Sequence, residues 1–123
     1  MAEIISTPKA PAAIGPYVQA QATSSLVFVS GQLGMDLDGN LPAGLSAQAN
    51  NSLKNLQAIL EEAGSSLSKV LKTTVFLSDL ENFVEFNAIY AEYFKAPCPA
   101  RSCFEVARLP KDALVEIEAI AER

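Results

Sequence analysis

The sequence predicts a single α+β domain, a sandwich in which two helices cover one face of a mixed six-stranded sheet. Three observations lead to this prediction. Half of the 123 residues are apolar, which suits one core and one domain. Segments rich in β-branched and aromatic residues alternate with two stretches whose apolar residues recur every three or four positions. Along the chain they form two or three strands, a helix, a strand, a second helix and two further strands.

The first strands precede a turn. Residues 17–22 alternate weakly, and LVFVSGQ (26–32) is a stronger strand because β-branched and aromatic residues dominate it. Asp38-Gly39 then predicts a hairpin turn. A calcium loop is the rival interpretation of the acidic residues. Its glycine comes too early, however, and Ala47 occupies the position of the bidentate glutamate.

The segment 46–63 is predicted to be the first helix. Ser46 can cap its start, and Gly64 suits the left-handed position after its end. The apolar stripe of this helix consists of Ala49, Leu53, Leu56, Leu60 and Ala63.

A strand and a second helix follow. KVLKTTVFL (69–77) is rich in β-branched residues. Ser78 or Asp79 can cap a helix that runs to about Phe94, and the prolines beyond it, beginning with Pro97, prevent its continuation. The predicted stripe of this helix is Leu80, Phe83, Asn87, Tyr90 and Phe94.

The last two strands, SCFEVAR (102–108) and LVEIEAIA (114–121), are predicted to pair as a hairpin through the turn LPKD (109–112). Alternate residues of a strand share a face, so the apolar residues of the two strands should lie together. The apolar side then contains Phe104, Val106, Val115 and Ile117. The same register places on the other side Arg101, Cys103, Glu116 and Glu118.

This juxtaposition of a guanidinium, a thiol and a carboxylate has two interpretations. The pattern alone favours a solvated strand face with a surface ion pair, because such pairs are common. The alternative is a site for an anionic ligand, because Arg101 offers a planar two-donor fork that matches a carboxylate. A nearby Glu116 could hold or activate a water molecule.

Three further polar residues lie in apolar settings: Tyr17, Ser30 and Asn87. The pattern alone favours a structural role for each, namely a core aromatic ring, a satisfied hydroxyl and an amide bonded to a neighbouring segment. Cys103 is a weak candidate for a nucleophile, because the chain has no histidine to activate it.

Composition argues against several classes of function. A net charge of −5 without a basic run disfavours nucleic acid as the main partner. The absence of histidine excludes a Ser-His-Asp triad, a Cys-His dyad and His-ligated zinc within one chain. Cys98 and Cys103 lack the two further ligands that a metal would need. There is no P-loop and no GxGxxG motif, so a site without metal or cofactor is predicted.

Location and assembly also follow from the pattern. No stretch is apolar and long enough to span a membrane, the N-terminus lacks the features of a signal peptide, and two cysteines fit a reducing compartment. A cytoplasmic location is therefore expected. Both sides of the strand 26–32 are fairly apolar. If helices cover only one face of the sheet, the other face would seek another subunit, which predicts an oligomer.

Four segments carry a resemblance that spans nearly the whole chain: APAAIGPYVQA (10–20), VSGQ (29–32), KTTVFLSDLENFVEFNAIY (72–90) and PARSCFEVARLPKDALVEIEAIA (99–121). Their combination is specific, and it resembles the reactive intermediate deaminase A (RidA) subgroup of the YjgF or Rid family. The segment KAPC before PARS is a few residues shorter than in familiar members, which puts the substrate preference in question.

The resemblance implies a chorismate-mutase-like fold and a homotrimeric, barrel-like assembly with sites in clefts between subunits. It implies hydrolysis of 2-imino or enamine acids, such as 2-iminobutanoate and 2-iminopropanoate, to 2-keto acids and ammonia. These reactive compounds escape from pyridoxal-phosphate dehydratases that act on serine and threonine. The family uses no cofactor.

The resemblance also implies roles for single residues. Arg101 is similar to the clamp for the substrate carboxylate, and Glu116 to the residue that positions or activates the attacking water. Cys103 matches a site residue that contributes mainly through its backbone. Tyr17 and Ser30 match residues that line the cleft, and Asn87 matches a supporting polar residue near it.

A second function stays open at this point. The chain could be a non-catalytic module that recognises small carboxylic acids through Arg101 and serves a regulatory, chaperone-like or translation-inhibiting role. Glu116 separates the two hypotheses, because binding alone needs only the arginine.

Overall fold

A six-stranded mixed sheet is the framework of the computed structural model, which describes residues 2–123. The strands are β1 (Glu3–Ile5), β2 (Ala20–Ala22), β3 (Leu26–Leu33), β4 (Val70–Leu77), β5 (Ala100–Glu105) and β6 (Val115–Glu122), and the helices are α1 (Leu45–Glu62) and α2 (Phe83–Tyr93). The spatial order of the strands is β1-β2-β3-β6-β4-β5. All neighbours are antiparallel except β4 and β5, which run parallel. The predicted α+β architecture is confirmed.

Helix α1 forms as its pattern predicts but starts differently. Every residue of the predicted apolar stripe is buried against the sheet. Gly64 takes the expected left-handed conformation, with φ of 80°. The prediction that Ser46 caps the start is wrong. The helix begins one residue earlier at the buried Leu45, so Gly44 is the N-cap residue and no side chain caps the helix.

Helix α2 follows a short 3₁₀ turn. The side chain of Asp79 accepts a hydrogen bond from the backbone N–H of Glu81, so the predicted residue caps the 3₁₀ turn, whereas the N-cap residue of α2 itself is Asn82. The 3₁₀ turn covers Leu80–Asn82 and shifts the angular position of every later residue. The predicted stripe is therefore only partly correct, because Leu80 is exposed. The buried side of the helix instead consists of Phe86, Ile89 and Tyr90.

The turn around Asp38-Gly39 exists, but it does not join two strands. The carboxylate of Asp36 accepts hydrogen bonds from the backbone N–H groups of Asp38 and Asn40, and Gly39 has φ of 84°. The chain then continues to α1 without a further strand. The hairpin prediction is wrong, because an Asx-type turn stabilises a loop as readily as a hairpin.

The largest difference from prediction concerns β5 and β6, which do not pair with each other. Strand β4 lies between them, parallel to β5 and antiparallel to β6. The chain reaches β5 from β4 through α2, which is the connection that parallel neighbours require. Periodicity correctly predicts which residues of one strand share a face, but it does not specify which strand lies alongside.

The two faces of the sheet have different surroundings. Both helices cover the face that carries Val27, Val75 and Ile117, where the main core lies. On the opposite face, hereafter the open face, a smaller cluster contains Leu33, Met35, Leu109 and Ala113. The open face also exposes Phe28 and Phe104, each 45% accessible. Within residues 2–123, neither helix combines the length and apolar character that crossing a membrane requires.

Candidate active site

The residues predicted to form one site lie on opposite faces of the sheet. In the ladder between β4 and β5, Arg101 is paired with the buried Thr73, so it lies on the helix-covered face. In the ladder between β4 and β6, Glu116 is paired with Phe76, so it lies on the open face. Strand neighbours share a face and consecutive residues alternate. The predicted juxtaposition of Arg101 and Glu116 within one chain is therefore wrong.

The first group, which we call the arginine cluster, comprises Phe83, Asn87, Tyr90, Arg101 and Cys103. One terminal nitrogen of Arg101, Nη1, donates a hydrogen bond of 2.9 Å to Oδ1 of Asn87 on α2. The guanidinium carbon lies 4.9 Å from the ring centroid of Tyr90 and 5.6 Å from that of Phe83. An amide and two aromatic rings thus orient the guanidinium at the edge of the sheet, where its other N–H groups can bind a ligand.

Cys103 lies on the same face as Arg101, two residues further along β5. Burial raises the pKa of its thiol, and the positive charge of Arg101 only partly opposes that shift. The thiol is therefore protonated at neutral pH, which is the wrong state for a nucleophile. Cys98 is exposed, and both thiols are free.

The second group lines a cavity of about 460 Å³ on the open face. Tyr17, Ser30 and Glu116 all border it, so the structure brings these three predicted residues together. The hydroxyl of Ser30 donates a hydrogen bond of 2.6 Å to the carbonyl of Val18 and is engaged in holding the wall. The hydroxyl of Tyr17 accepts a hydrogen bond from the N–H of Ile14. The cavity therefore offers a mostly apolar wall with few polar groups, as small-molecule sites do.

A buried glutamine holds one wall of this cavity in place. The side chain of Gln19 accepts a hydrogen bond of 2.7 Å from the N–H of Thr7 and donates to the carbonyls of Thr7 and Pro11. These bonds fix the segment that leads into residues 11–14, which line the cavity. Gln19 was not among the predicted site residues, because nothing in the weakly alternating pattern of residues 17–22 distinguishes it from Gln21.

The carboxyl group of Glu116 is half-buried beside the cavity. Burial raises its pKa, and the neighbouring charge of Glu118 adds to that shift. Gly31 lies directly against it, because a Cβ atom at position 31 would be 2.8 Å from Cδ of Glu116. Glycine at this position therefore leaves the room that the carboxylate occupies. Gly31 belongs to the SGQ motif, but the sequence alone did not indicate this contact.

Replacing Glu116 by glutamine should change how stability depends on pH. The folded state holds the Glu116 proton more tightly than the unfolded chain does. The free energy of unfolding therefore falls as pH rises from the ordinary pKa of 4.5 through the raised pKa. The glutamine of Glu116→Gln cannot ionise, so this variant avoids the loss of stability. Compared with wild type, its Tm should be relatively higher at about pH 8 than at about pH 4. A Tm difference that is the same at both pH values, measured by thermal unfolding, would contradict the burial effect.

Comparison with known proteins identifies the family. Residues 7–123 match the family described as endoribonuclease L-PSP. A protein of Escherichia coli named 2-iminobutanoate/2-iminopropanoate deaminase is 50% identical, and the alignment covers 100% of this chain and 99% of that protein. A RutC family protein of Haemophilus influenzae is 53% identical over 100% of this chain and 98% of its own length.

Solved structures agree with the fold described above. The structure of E. coli TdcF with bound serine superposes with a TM-score of 0.95 at 48% identity, covering 98% of each chain. RidA from the Antarctic bacterium Psychrobacter superposes with a TM-score of 0.96 at 43% identity, covering 98% of this chain and 99% of that one. The chain therefore belongs to the endoribonuclease L-PSP family, the YjgF or Rid family that its sequence motifs resemble.

Proposed function

We propose that this protein is an imine deaminase that hydrolyses 2-iminobutanoate and 2-iminopropanoate to the corresponding 2-keto acids and ammonia. Relatives of about 50% identity over the whole chain carry this name. The observation that carries the proposal is the presence of two suitably placed charged groups. One is a guanidinium oriented by Asn87 and two rings, and the other is a half-buried carboxylate beside a cavity.

A complete site requires a second copy of the chain in this proposal. Arg101 and Glu116 lie on opposite faces of one sheet, so a ligand that contacts both must lie between two subunits. The exposed Phe28 and Phe104 supply apolar area on the open face for such an interface. We propose a homotrimer in which one subunit contributes the arginine cluster and its neighbour contributes the cavity. The two free thiols suit a reducing, cytoplasmic location.

The proposed mechanism uses each group for one task. Arg101 binds the substrate carboxylate through its free N–H groups, and this fixes the imine carbon in the cleft. Glu116 accepts a proton from a water molecule as the water oxygen attacks the imine carbon and the C=N electron pair moves to nitrogen. Glu116 returns this proton to the nitrogen, which gives a neutral amino alcohol. It then takes the hydroxyl proton and passes it to the amine nitrogen as the C–N bond breaks, so the C=O bond of the 2-keto acid forms and ammonia leaves. The raised pKa of Glu116 makes it a stronger base than an ordinary carboxylate.

The remaining candidate residues shape the site in this proposal. Tyr17 and Ser30 border the cavity that receives the body of the substrate. Asn87 orients Arg101. Cys103 contributes through its backbone at the cleft wall, because its thiol is protonated. No step needs a metal or a cofactor, since an imine carbon is already electrophilic.

A carboxylate-binding module without catalysis is the second candidate. One observation favours it, which is the bound serine named for the E. coli relative TdcF, because serine carries a carboxylate. This alternative uses the arginine cluster and assigns no reaction to Glu116.

Measurement of keto-acid release tests the proposed function. A threonine dehydratase generates 2-iminobutanoate in situ, and the wild-type protein should accelerate the release of 2-oxobutanoate. Arg101→Ala should lower the acceleration by about 30-fold or more, because removing one partner of a desolvated carboxylate–guanidinium pair costs about 2–5 kcal/mol. Arg108→Ala is the matched control, since Arg108 is an exposed arginine that pairs with Asp112 and should act like wild type.

The outcomes separate the candidates. Equal rates for wild type and Arg101→Ala would contradict the role of Arg101 as a clamp. No acceleration by the wild-type protein, combined with measurable binding of 2-oxobutanoate, would favour the binding module.

A further inference from the structure

Tyr90 lies directly beneath the guanidinium of Arg101. The distance of 4.9 Å between the guanidinium carbon and the ring centroid is within the range of a cation–π contact. Tyr90 is buried and belongs to the main core, so its ring has a fixed position. Such a ring offers a rigid surface on which the planar guanidinium can rest.

The hydroxyl of Tyr90 is tied to the central part of the sheet. Its oxygen lies 2.7 Å from Oγ1 of Thr73, and both side chains are buried. Thr73 is the residue of β4 that pairs with Arg101 of β5. A hydrogen bond thus links the strand next to Arg101 to the ring that supports Arg101. The orientation of this ring is therefore set by the same strand that sets the position of the arginine backbone.

Two close contacts of different direction, together with the more distant ring of Phe83, hold the fork of Arg101. The hydrogen bond to Asn87 lies at one edge of the guanidinium and leaves rotation about that bond free. The cation–π contact with Tyr90 holds the guanidinium carbon over the ring but does not by itself set the direction of the N–H donors. Asn87 and Tyr90 are three residues apart on α2, so one helix face supplies both contacts. Neither contact alone would orient both donors of the fork.

We propose that Tyr90, held by Thr73, is a positioning residue that pre-orients Arg101 for the carboxylate of the substrate. This inference rests on the proposed function of Arg101 as the clamp. Tyr90 touches no reacting atom in this role. It restricts the guanidinium to few orientations before the carboxylate binds, so less conformational entropy is lost on binding. Pre-organisation of this kind strengthens binding.

Steady-state kinetics and calorimetry test this inference. Because the clamp holds the carboxylate in the ground state and the transition state alike, its disorder should raise KM and leave kcat unchanged. Tyr90→Leu removes the ring and should raise KM about tenfold, with an equal rise in the Kd for 2-oxobutanoate. Tyr90→Phe keeps the ring but loses the bond to Thr73, and it should raise both constants about threefold.

Two further variants control for simple damage to the fold. In the double variant Tyr90→Phe/Thr73→Val neither side chain leaves an unpaired hydroxyl, so it should be stable and still show the rise in KM of Tyr90→Phe. Tyr93→Phe removes a tyrosine hydroxyl of the same helix that bonds to Asn50 at 2.8 Å, away from Arg101. It should leave KM unchanged. Damage to the fold alone would lower kcat per total protein and spare KM.

The two proposals fail in different ways. Absence of imine hydrolysis by the wild-type protein contradicts the deaminase proposal, yet the Kd for 2-oxobutanoate still reports on Tyr90. Wild-type KM and Kd in Tyr90→Leu or, if that variant does not fold, in the double variant, would overturn the positioning role. Failure of the wild-type protein to bind 2-oxobutanoate would overturn it as well.

Discussion

Mixed oligomers built from Arg101→Ala and Glu116→Gln chains are expected to regain about a quarter of wild-type activity at low substrate concentration, although each variant alone loses most of it. The two residues lie on opposite faces of one sheet, so the proposed site takes Arg101 from one copy and Glu116 from its neighbour. In a random equal mixture, the chance that a site receives an intact arginine is one half, and the same holds for the glutamate. The product of these chances is about a quarter.

The measurement is keto-acid release after the two variants are unfolded together and refolded as a mixture. The same variants refolded separately and then combined without subunit exchange should keep the low activity that each has alone. A second control mixes the double variant Arg101→Ala/Glu116→Gln with wild type. If each site is shared between two chains, this mixture should have about a quarter of wild-type activity. If each site lay within one chain, the mixture would have about half. No recovery in the first mixture would refute a shared site.

Gly31→Ala should abolish most of the activity while it leaves the protein folded. Its Cβ atom would lie 2.8 Å from Cδ and 3.0 Å from Cγ of Glu116, so the carboxylate must move away from its place beside the cavity. A displacement of this kind lowers turnover by about 10²-fold when the moved group handles the proton of the reaction. The side chain of Glu116 can rotate, so the loss in free energy of unfolding should stay below about 1 kcal/mol.

Gly34→Ala provides the contrast for this prediction. A Cβ atom at position 34 would lie 2.1 Å from the backbone oxygen of Gln48 in α1, which cannot rotate away. This variant should lose more than about 2 kcal/mol of stability, because the helix would have to shift from the strand. Denaturant unfolding measures both variants, and keto-acid release measures Gly31→Ala. Full activity in Gly31→Ala would show that the position of the carboxylate does not matter.

Patterns within single segments predicted most of the fold. The alternation of apolar residues in β6 and their helical spacing in α1 are patterns among residues close in sequence. The buried positions of both elements match these patterns closely. The pairing of strands is different, because it depends on which segment arrives beside another in space. The short turn before β6 suggested a hairpin with β5, but the apolar faces of β4 match both strands and place it between them.

The site illustrates the same limit. Arg101 and Glu116 came together in the predicted hairpin, and the structure separates them. The hairpin register first made them candidates for one site, and the resemblance to a family with clefts between subunits supports the same pair without depending on that register. Gln19, Gly31 and Tyr90 were not predicted as site residues, because their contributions depend on contacts with distant segments. A single sequence contains no periodic signal for such contacts.

The position of β6 in the middle of the sheet affects how the protein can fold during synthesis. This strand leaves the ribosome after all the others, yet it is the one that joins β3 to β4. Until it arrives, the strands form two separate groups, β1-β2-β3 and β4-β5, each with an open edge. Open edges of this kind invite pairing with other chains. The nascent protein thus depends on rapid insertion of its last strand, and slow release of that strand would favour aggregation.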